Sequence, residues 1–277
     1  MNKLWMLLIA FGLSFIAAAA KAQQNQKGEN VDVRAGIDHD QLDRLLKKYV
    51  NEQGLVNYTA WKQNATDLSG LDSYLSQFAA KIDNVAEGNE KAASLVNAYN
   101  AFVLQWILKN YPTESIWQLK DSFTSKRNDV GGSKVALDDI EHGTLRLLIG
   151  YRAHAVLVCG ARSCPPLQRF AYTADNFEEQ NDGAYRAWLA REDLNKFLPN
   201  EKKVEISTIF KWFKPDFDKA GSVPKILGSS APPPLREFAA SAKYEIRYLP
   251  YNWGLNDQGP HGRNYSRRQL LFDNIFK

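Results

Sequence analysis

The sequence is short of the residues on which many functional sites depend. It contains only two cysteines and four histidines among 277 residues, which excludes a disulfide-rich scaffold and a zinc ribbon with four thiolate ligands. Beyond the N-terminus it has no long hydrophobic run, which excludes a multi-span membrane protein. Glycine-rich phosphate loops, dinucleotide fingerprints, zinc-protease helices and Gly-x-Ser-x-Gly elbows are also missing. The chemistry must therefore be sought in a few polar side chains.

The remaining composition is that of an ordinary globular protein. Hydrophobic residues make up 44% of the chain and charged residues 24%, which suffices for a packed core and excludes a disordered chain. The formal net charge is +4. Lysine and arginine are scattered rather than gathered in a basic stripe with interleaved aromatic residues, so we expect no nucleic-acid partner.

The N-terminus has the pattern of an export signal. Lys3 supplies a positive charge, residues 4–20 are apolar, and residues 20–22 (Ala-Lys-Ala) form a small-x-small cleavage site. We therefore predict a signal peptide over residues 1–22, a polar, flexible lead over 23–36 and a single domain over 37–277. The expectation is an exported protein, periplasmic or extracellular, with no stable membrane insertion after cleavage. A membrane anchor is the alternative, for which the apolar run is short.

Helical periodicity is clearest between residues 92 and 107, where apolar side chains recur at spacings of three and four. This helix should end at Tyr111, because the residue before a proline is pushed out of the α region. Further helices are predicted near residues 42–49, 68–78, 138–150, 173–191, 209–213 and 235–240.

Strand-like segments are fewer. Gly131 and Gly132 separate two of them and predict a β-hairpin within residues 123–137. Residues 154–160 form a continuous apolar run, which predicts a central strand buried on both faces. Residues 204–206 and 244–248 alternate like strands. Because regular βαβ alternation is missing, we predict a single α+β domain, mainly helical, with a small and largely antiparallel sheet.

Several polar side chains in these elements are candidates for a site. Asn100 lies on the apolar face of the long helix, where its amide either ties the helix to a loop or orients a catalytic group or substrate. Asn97 has the same two interpretations. Glu141 and His142 can act as acid and base. Alternatively, Glu141 closes a capping box that Asp138 opens, and His142 is a boundary residue of the helix.

The thiols leave three interpretations open. His154 begins the predicted strand, whose period of two directs its side chain to the face opposite Cys159. Cys164 follows a turn and can approach either face. The pair can form a disulfide, or provide a reactive thiolate paired with His142 or His154 and flanked by Arg162. It can also bind a metal ion together with a histidine.

Several segments together resemble a known family, the domain-of-unknown-function family numbered 547. The similarity runs from Asn57 to Asn256, and it implies a compact, mainly helical α+β domain found in exported bacterial proteins and at the C-terminus of some plant proteins. It implies no established activity. The segments are residues 97–101 (Asn-Ala-Tyr-Asn-Ala), 137–142 (Leu-Asp-Asp-Ile-Glu-His), 154–159 (His-Ala-Val-Leu-Val-Cys), 163–167 (Ser-Cys-Pro-Pro-Leu), 209–213 (Ile-Phe-Lys-Trp-Phe) and 251–256 (Tyr-Asn-Trp-Gly-Leu-Asn).

A helix and then a strand that carry imidazole and thiol candidates are also distantly similar to papain-like and transglutaminase-like hydrolases, with the order of histidine and cysteine permuted. Similarity of fold does not establish function. The first hypothesis is nonetheless an exported thiol-dependent hydrolase or acyltransferase, in which a cysteine attacks a carbonyl, a histidine acts as base and a third side chain orients the imidazole. The candidates for these roles are, in order, Cys159 or Cys164, His142 or His154, and Glu141 or Asn100.

The second hypothesis is a non-catalytic domain that binds a small molecule or a peptide. In it a bridge between Cys159 and Cys164 stiffens a loop, and arginine side chains recognise an anionic ligand. Neither hypothesis calls for a cofactor or a bound metal. The candidate ligand-binding residues are Arg146, Arg162, Tyr99 and Asn97.

Overall fold

The computed structural model describes residues 28–265, and the signal peptide predicted over residues 1–22 lies outside them. Helices dominate this part of the chain and two small β-sheets complete it, which confirms the predicted mixed α+β fold. Among residues 28–265, no helix combines the length and the hydrophobicity needed to cross a lipid bilayer.

The N-terminal half is organised around one long helix. This half contains α1 (Asp40–Tyr49), α2 (Tyr58–Lys62), α3 (Ala65–Ala79) and α4 (Gly88–Asn110). Every residue of α4 from 92 to 104 is buried, because other elements pack against it on several sides. A helix that is buried all round is a core element rather than a surface one, so polar side chains on α4 must find partners inside the protein.

The predicted hairpin is present. Strand β1 (Asn128–Val130) pairs antiparallel with β2 (Ser133–Val135). Between them Gly131 and Gly132 have φ angles of +63° and +79°, the conformation that a two-residue hairpin turn with two positive φ angles requires.

The next segment is helical as predicted, but it lacks the predicted capping box. It consists of a π-helix (Asp139–Leu145) followed by α5 (Arg146–Leu148), and the Asp138 side chain makes no capping hydrogen bond. Asp139 instead accepts hydrogen bonds from the backbone N–H groups of Glu29 at 3.0 Å and Ala136 at 2.9 Å. Glu141 is therefore not a capping residue, and its carboxylate serves elsewhere.

The central strand predicted over residues 154–160 is wrong. His154 lies in a short helix, α6 (Ala153–Val156), and the chain becomes extended only from Leu157. The Asn100 side chain takes the place of a neighbouring strand: Nδ2 donates to the Val156 carbonyl at 2.8 Å, and Oδ1 accepts from the Val158 N–H at 2.9 Å. The apolar run is thus buried with backbone groups satisfied by an amide side chain rather than by a sheet.

The C-terminal half contains the second sheet. Strand β4 (Lys203–Ser207) pairs antiparallel with β3 (Lys196–Leu198) and parallel with β5 (Glu245–Leu249), so this sheet is mixed rather than largely antiparallel. Parallel neighbours need a long crossover, and the helices between β4 and β5 supply it. The elements are α7 (Phe177–Leu189), β3 (Lys196–Leu198), β4 (Lys203–Ser207), α8 (Ile209–Trp212), α9 (Lys214–Lys219), α10 (Val223–Ser230), α11 (Arg236–Ala240) and β5 (Glu245–Leu249).

The packed chain begins before the predicted boundary at residue 37. Val31 and Val33 are 3% and 0% exposed, although the sequence assigned them to a flexible lead. The Val31 N–H donates to Oγ1 of Thr144 at 2.8 Å, and the Val33 carbonyl accepts from the Ala86 N–H at 2.9 Å. Val31 and Val33 are thus part of the hydrophobic core, although the residues next to them in the sequence are polar.

Two hydrophobic clusters meet at α6. One surrounds α4, and the other is formed by the second half of α7, β4 and the helices that follow it. Within α6, Val156 belongs to the first cluster and Ala155 to the second. The short helix that carries His154 is therefore held at the junction of the two halves.

We expect Asn100→Ala to lower the free energy of unfolding by about 2–4 kcal/mol, because it leaves a buried carbonyl and a buried N–H without partners. Urea denaturation monitored by circular dichroism would measure the change. Asn110→Ala is the matched control, since Asn110 is an exposed residue of the same helix whose side chain donates to the Trp106 carbonyl one turn earlier. Equal losses for the two variants would contradict this role for Asn100.

Candidate functional site

A cavity of about 50 Å³ opens where the two hydrophobic clusters meet, and we call it the cleft. It has room for a few water molecules or a small chemical group. Five of the predicted site residues line it, namely Tyr99, Glu141, His154, Cys159 and Cys164, together with the aromatic side chains of Trp212, Phe213, Tyr251 and Trp253 and the aliphatic ones of Leu157 and Ile209.

The sulfur atoms of Cys159 and Cys164 lie at disulfide distance, with the Cα atoms 6.5 Å apart. This separation falls within the range of roughly 4.4–6.8 Å usual for disulfides. Cys159 is partly exposed, whereas Cys164 is buried. The Tyr251 hydroxyl contacts both sulfurs, at 3.1 Å from Cys164 and 3.5 Å from Cys159. Of the three interpretations of the thiols, the geometry is that of the disulfide.

A tight turn after Cys159 makes this arrangement possible. Gly160 has a φ angle of +84°, and a Cβ atom there would lie 2.6 Å from the Ile107 side chain on α4. The Gly160 carbonyl accepts from the Asn256 N–H at 2.8 Å, and the Arg162 N–H donates to the Gly254 carbonyl at 2.8 Å. These bonds dock the C-terminal segment on the cysteine loop and bring Tyr251 to the sulfurs.

His154 lines the cleft together with Cys159, although strand periodicity predicted opposite faces for them. The helical turn at α6 removes the period of two on which that prediction depended. The imidazole stacks on Phe213 with ring centroids 4.0 Å apart, and Nε2 lies 2.8 Å from Oδ2 of Asp216. Burial lowers the pKa of His154, against the opposing effect of its hydrogen bond to Asp216.

Asp216 connects His154 to an arginine. Burial alone would raise the pKa of Asp216, but hydrogen bonds from His154 and from Arg146, whose Nε lies 2.8 Å from Oδ2, hold it well below its usual range. The carboxylate is thus ionised and accepts both hydrogen bonds. His154 therefore donates from Nε2, and its Nδ1 atom carries the lone pair.

His142 does not line the cleft. Its Nδ1 atom lies 3.0 Å from Nη1 of Arg146, and because a guanidinium only donates, Nδ1 accepts and the proton is on Nε2. Within residues 28–265 that Nε2 atom is buried without a hydrogen-bond partner, 3.9 Å from Oδ1 of Asp138. The structure does not bring His142 to either thiol.

Glu141 directs its carboxylate into the cleft. Its Oε2 atom accepts a hydrogen bond from the Tyr99 hydroxyl at 3.1 Å. Burial, and next the charge of Glu141, raise the pKa of Tyr99 well above its usual value, so the phenol stays protonated. Among residues 28–265, the ionisable nitrogen that lies within 4 Å of this carboxylate is Nδ1 of His142, at 3.8 Å from Oε1. That atom is already an acceptor and carries no proton, so it does not neutralise the carboxylate.

The remaining predicted residues serve the backbone or other side chains. Asn97 repeats the arrangement of Asn100: Nδ2 donates to the Tyr172 carbonyl at 2.8 Å and Oδ1 accepts from the Tyr172 N–H at 2.9 Å. Arg162 donates to the Asp257 carbonyl at 2.7 Å. Neither Arg146 nor Arg162 lines the cleft.

Sequence reasoning missed part of the site. Asp216 carries no local signal, and nothing in the sequence connects Tyr251 to cysteines that lie about ninety positions earlier in the chain. The sequence offered one signal for the C-terminal part of the site, namely the resemblance of residues 209–213 and 251–256 to segments of family 547. In the part of the chain that the structure describes, no group of three or more His, Cys, Asp or Glu side chains is placed to hold a metal ion.

The carboxyl of Asp138, directly before the π-helix, should make the stability of the protein depend on pH. Burial, followed by the charges of Glu141 and Asp139, raises the pKa of Asp138 from 3.8 to about 7. A carboxyl with a raised pKa in the folded state stabilises the protein fully below pH 4 and loses this effect as pH rises through 7. Through this carboxyl, the wild-type protein should lose on the order of 2–4 kcal/mol of its free energy of unfolding between pH 4 and 8. We expect Asp138→Asn to lack this loss.

Chemical denaturation of both proteins across this pH range would measure the effect. The exposed carboxylate of Asp175 provides the control, since Asp175→Asn should follow the wild-type curve. A parallel pH profile for Asp138→Asn and the wild type would contradict the prediction.

Comparison with known proteins adds one family. A family model described as "Protein of unknown function, DUF547" matches residues 83–189, the part of the chain that contains Glu141, His154 and both cysteines. No curated protein and no solved structure matches the chain significantly. The resemblance found in the sequence is thereby confirmed for residues 83–189, which match the family of proteins of unknown function numbered 547.

Proposed function

We propose that this protein is a non-catalytic domain that binds a small molecule or the end of a peptide in the cleft, and that a disulfide between Cys159 and Cys164 stiffens one wall of it. The observation that carries this proposal is the pairing of the two sulfurs. Within residues 28–265, neither sulfur makes a hydrogen bond to an imidazole, and the polar side chain that contacts both is Tyr251.

The ligand contacts in this proposal differ from those expected from the sequence. Arg146 and Arg162 were candidates for an anionic ligand, but they bond to Asp216 and to the Asp257 carbonyl. The polar side chains that line the cleft are those of Tyr99, Glu141, His154 and Tyr251, besides the paired sulfurs and the indole groups. A ligand would therefore meet a carboxylate and hydroxyl groups rather than guanidinium groups.

Export is part of the same proposal. The signal peptide predicted over residues 1–22 would deliver the protein to a periplasm or out of the cell, and disulfides persist in such oxidising compartments. Cys159 and Cys164 would then remain oxidised as a disulfide.

We expect the double variant Cys159→Ser, Cys164→Ser to unfold with a free energy lower by about 2 kcal/mol, the chain-entropy value for so short a loop. Denaturation in urea, with and without reductant, measures it. Reduced wild-type protein should match the variant, and the variant should not respond to reductant. A wild-type protein equally stable in both conditions would contradict a structural disulfide.

A second candidate is the thiol-dependent hydrolase or acyltransferase, which one specific observation favours. His154, oriented by Asp216 at 2.8 Å, lines the same cleft as Cys159, the more exposed cysteine. After an external thiol has reduced the pair, Nδ1 of His154 would take the proton of the Cys159 thiol as the sulfur attacks a carbonyl, and would deliver it to the leaving group. Water or an acceptor group would then cleave the thioester that remains on Cys159.

Alkylation with iodoacetamide separates the two candidates. We expect both cysteines of the reduced, native protein to react no faster than free cysteine, because Glu141 is the charged side chain in the cleft and a nearby cation is what lowers a thiol pKa. Selective, rapid labelling that disappears in His154→Gln and persists in the control His39→Gln would instead establish the thiol enzyme.

A further inference from the structure

One wall of the cleft is aromatic. The rings of Trp212, Tyr251 and Trp253 pack on one another, with centroids 4.8 Å apart for Trp212 and Tyr251 and 4.4 Å apart for Tyr251 and Trp253. All three are only partly buried. We call them the aromatic wall. The face of an aromatic ring carries negative electrostatic potential, so such a wall attracts cations.

Phe213 also lines the cleft, but its ring already contacts two side chains of the protein. His154 stacks on its ring at 4.0 Å, and the Arg146 guanidinium lies 4.9 Å from its centroid. Among the aromatic side chains that line the cleft, Phe213 thus already makes a cation–π interaction within the protein. The rings of the aromatic wall make no such interaction within residues 28–265.

Glu141 adds a full negative charge to the same cleft. Its side chain is 13% exposed, and its hydrogen bond from Tyr99 is to a neutral donor. Arg146, the nearby cation, forms its ion pair with Asp216 at 2.8 Å, so these two charges balance. The charge of Glu141 is left uncompensated among the described residues, and burial together with this charge raises the pKa of Tyr251.

We propose that the cleft binds a small organic cation, such as an ammonium or methylated ammonium group, between the Glu141 carboxylate and the aromatic wall. The inference rests on the proposed function insofar as it takes the cleft as the ligand site, and it is independent of the state of the thiols. An organic cation fits better than a metal ion because the cleft offers ring faces and one carboxylate rather than several ligating atoms. The cavity of about 50 Å³ limits the buried group to a small one.

The test compares two probes of the same shape, choline and its neutral isostere 3,3-dimethylbutan-1-ol, on the oxidised protein. Two-dimensional NMR of the tryptophan indole N–H groups reports binding, and the signals of Trp212 and Trp253 are assigned from Trp212→Phe and Trp253→Phe. We expect choline, at constant chloride concentration, to shift these two signals and to bind about tenfold more tightly than the neutral probe, because cation–π contacts and a carboxylate favour charge.

A charge-removing variant makes the test specific. Glu141→Gln keeps the shape of the side chain and the hydrogen bond from Tyr99, and should reduce the preference for choline to about twofold or less. The control Glu237→Gln removes an exposed carboxylate on α11 and should leave the preference unchanged.

Two outcomes would overturn the inference, and they differ for the proposed function. Equal or tighter binding of the neutral probe would refute a cation site and leave the cleft as a binding site. No shift of either indole signal by either probe at millimolar concentration would refute the cation site as well. The disulfide and alkylation measurements are made without any ligand, so they judge the proposed function separately.

Discussion

The arrangement of the site depends on two buried side-chain amides of α4. Asn100 holds the backbone at Val156 and Val158, and Asn97 holds it at Tyr172, each with one donated and one accepted hydrogen bond. The two residues are three positions apart, so they lie on one side of the helix. An asparagine side chain offers the same pair of groups as a peptide bond, and here it supports segments that no strand accompanies.

The consequence of this support is the position of His154 and Cys159. Since the chain turns as a helix before Val156 and extends only afterwards, both side chains face one cleft. Asp216 and Arg146 then form a balanced set of charges with the neutral imidazole. The acidic side chain of the cleft lies outside this set, which gives the cleft a negative character and does not favour a thiolate.

The cleft is assembled from distant parts of the chain. Residues 83–189, which match the family, supply the carboxylate, the imidazole and both sulfurs. The aromatic wall comes from α8 and from the segment after β5, and backbone hydrogen bonds to Gly160 and Arg162 dock that segment. The domain's second half is therefore needed for the site, although its sequence carries no chemical motif.

The sequence by itself determined the helices with strong 3.6 periodicity, the Gly131-Gly132 hairpin, the mixed α+β class and most of the polar residues that meet in the cleft. Local patterns suffice for these because they record which face of an element is buried. The tertiary structure alone decided that residues 153–156 are helical, that Asp216 orients His154 and that Tyr251 contacts the sulfurs. Each of these depends on a contact between residues dozens of positions apart, and local periodicity carries no information about such contacts.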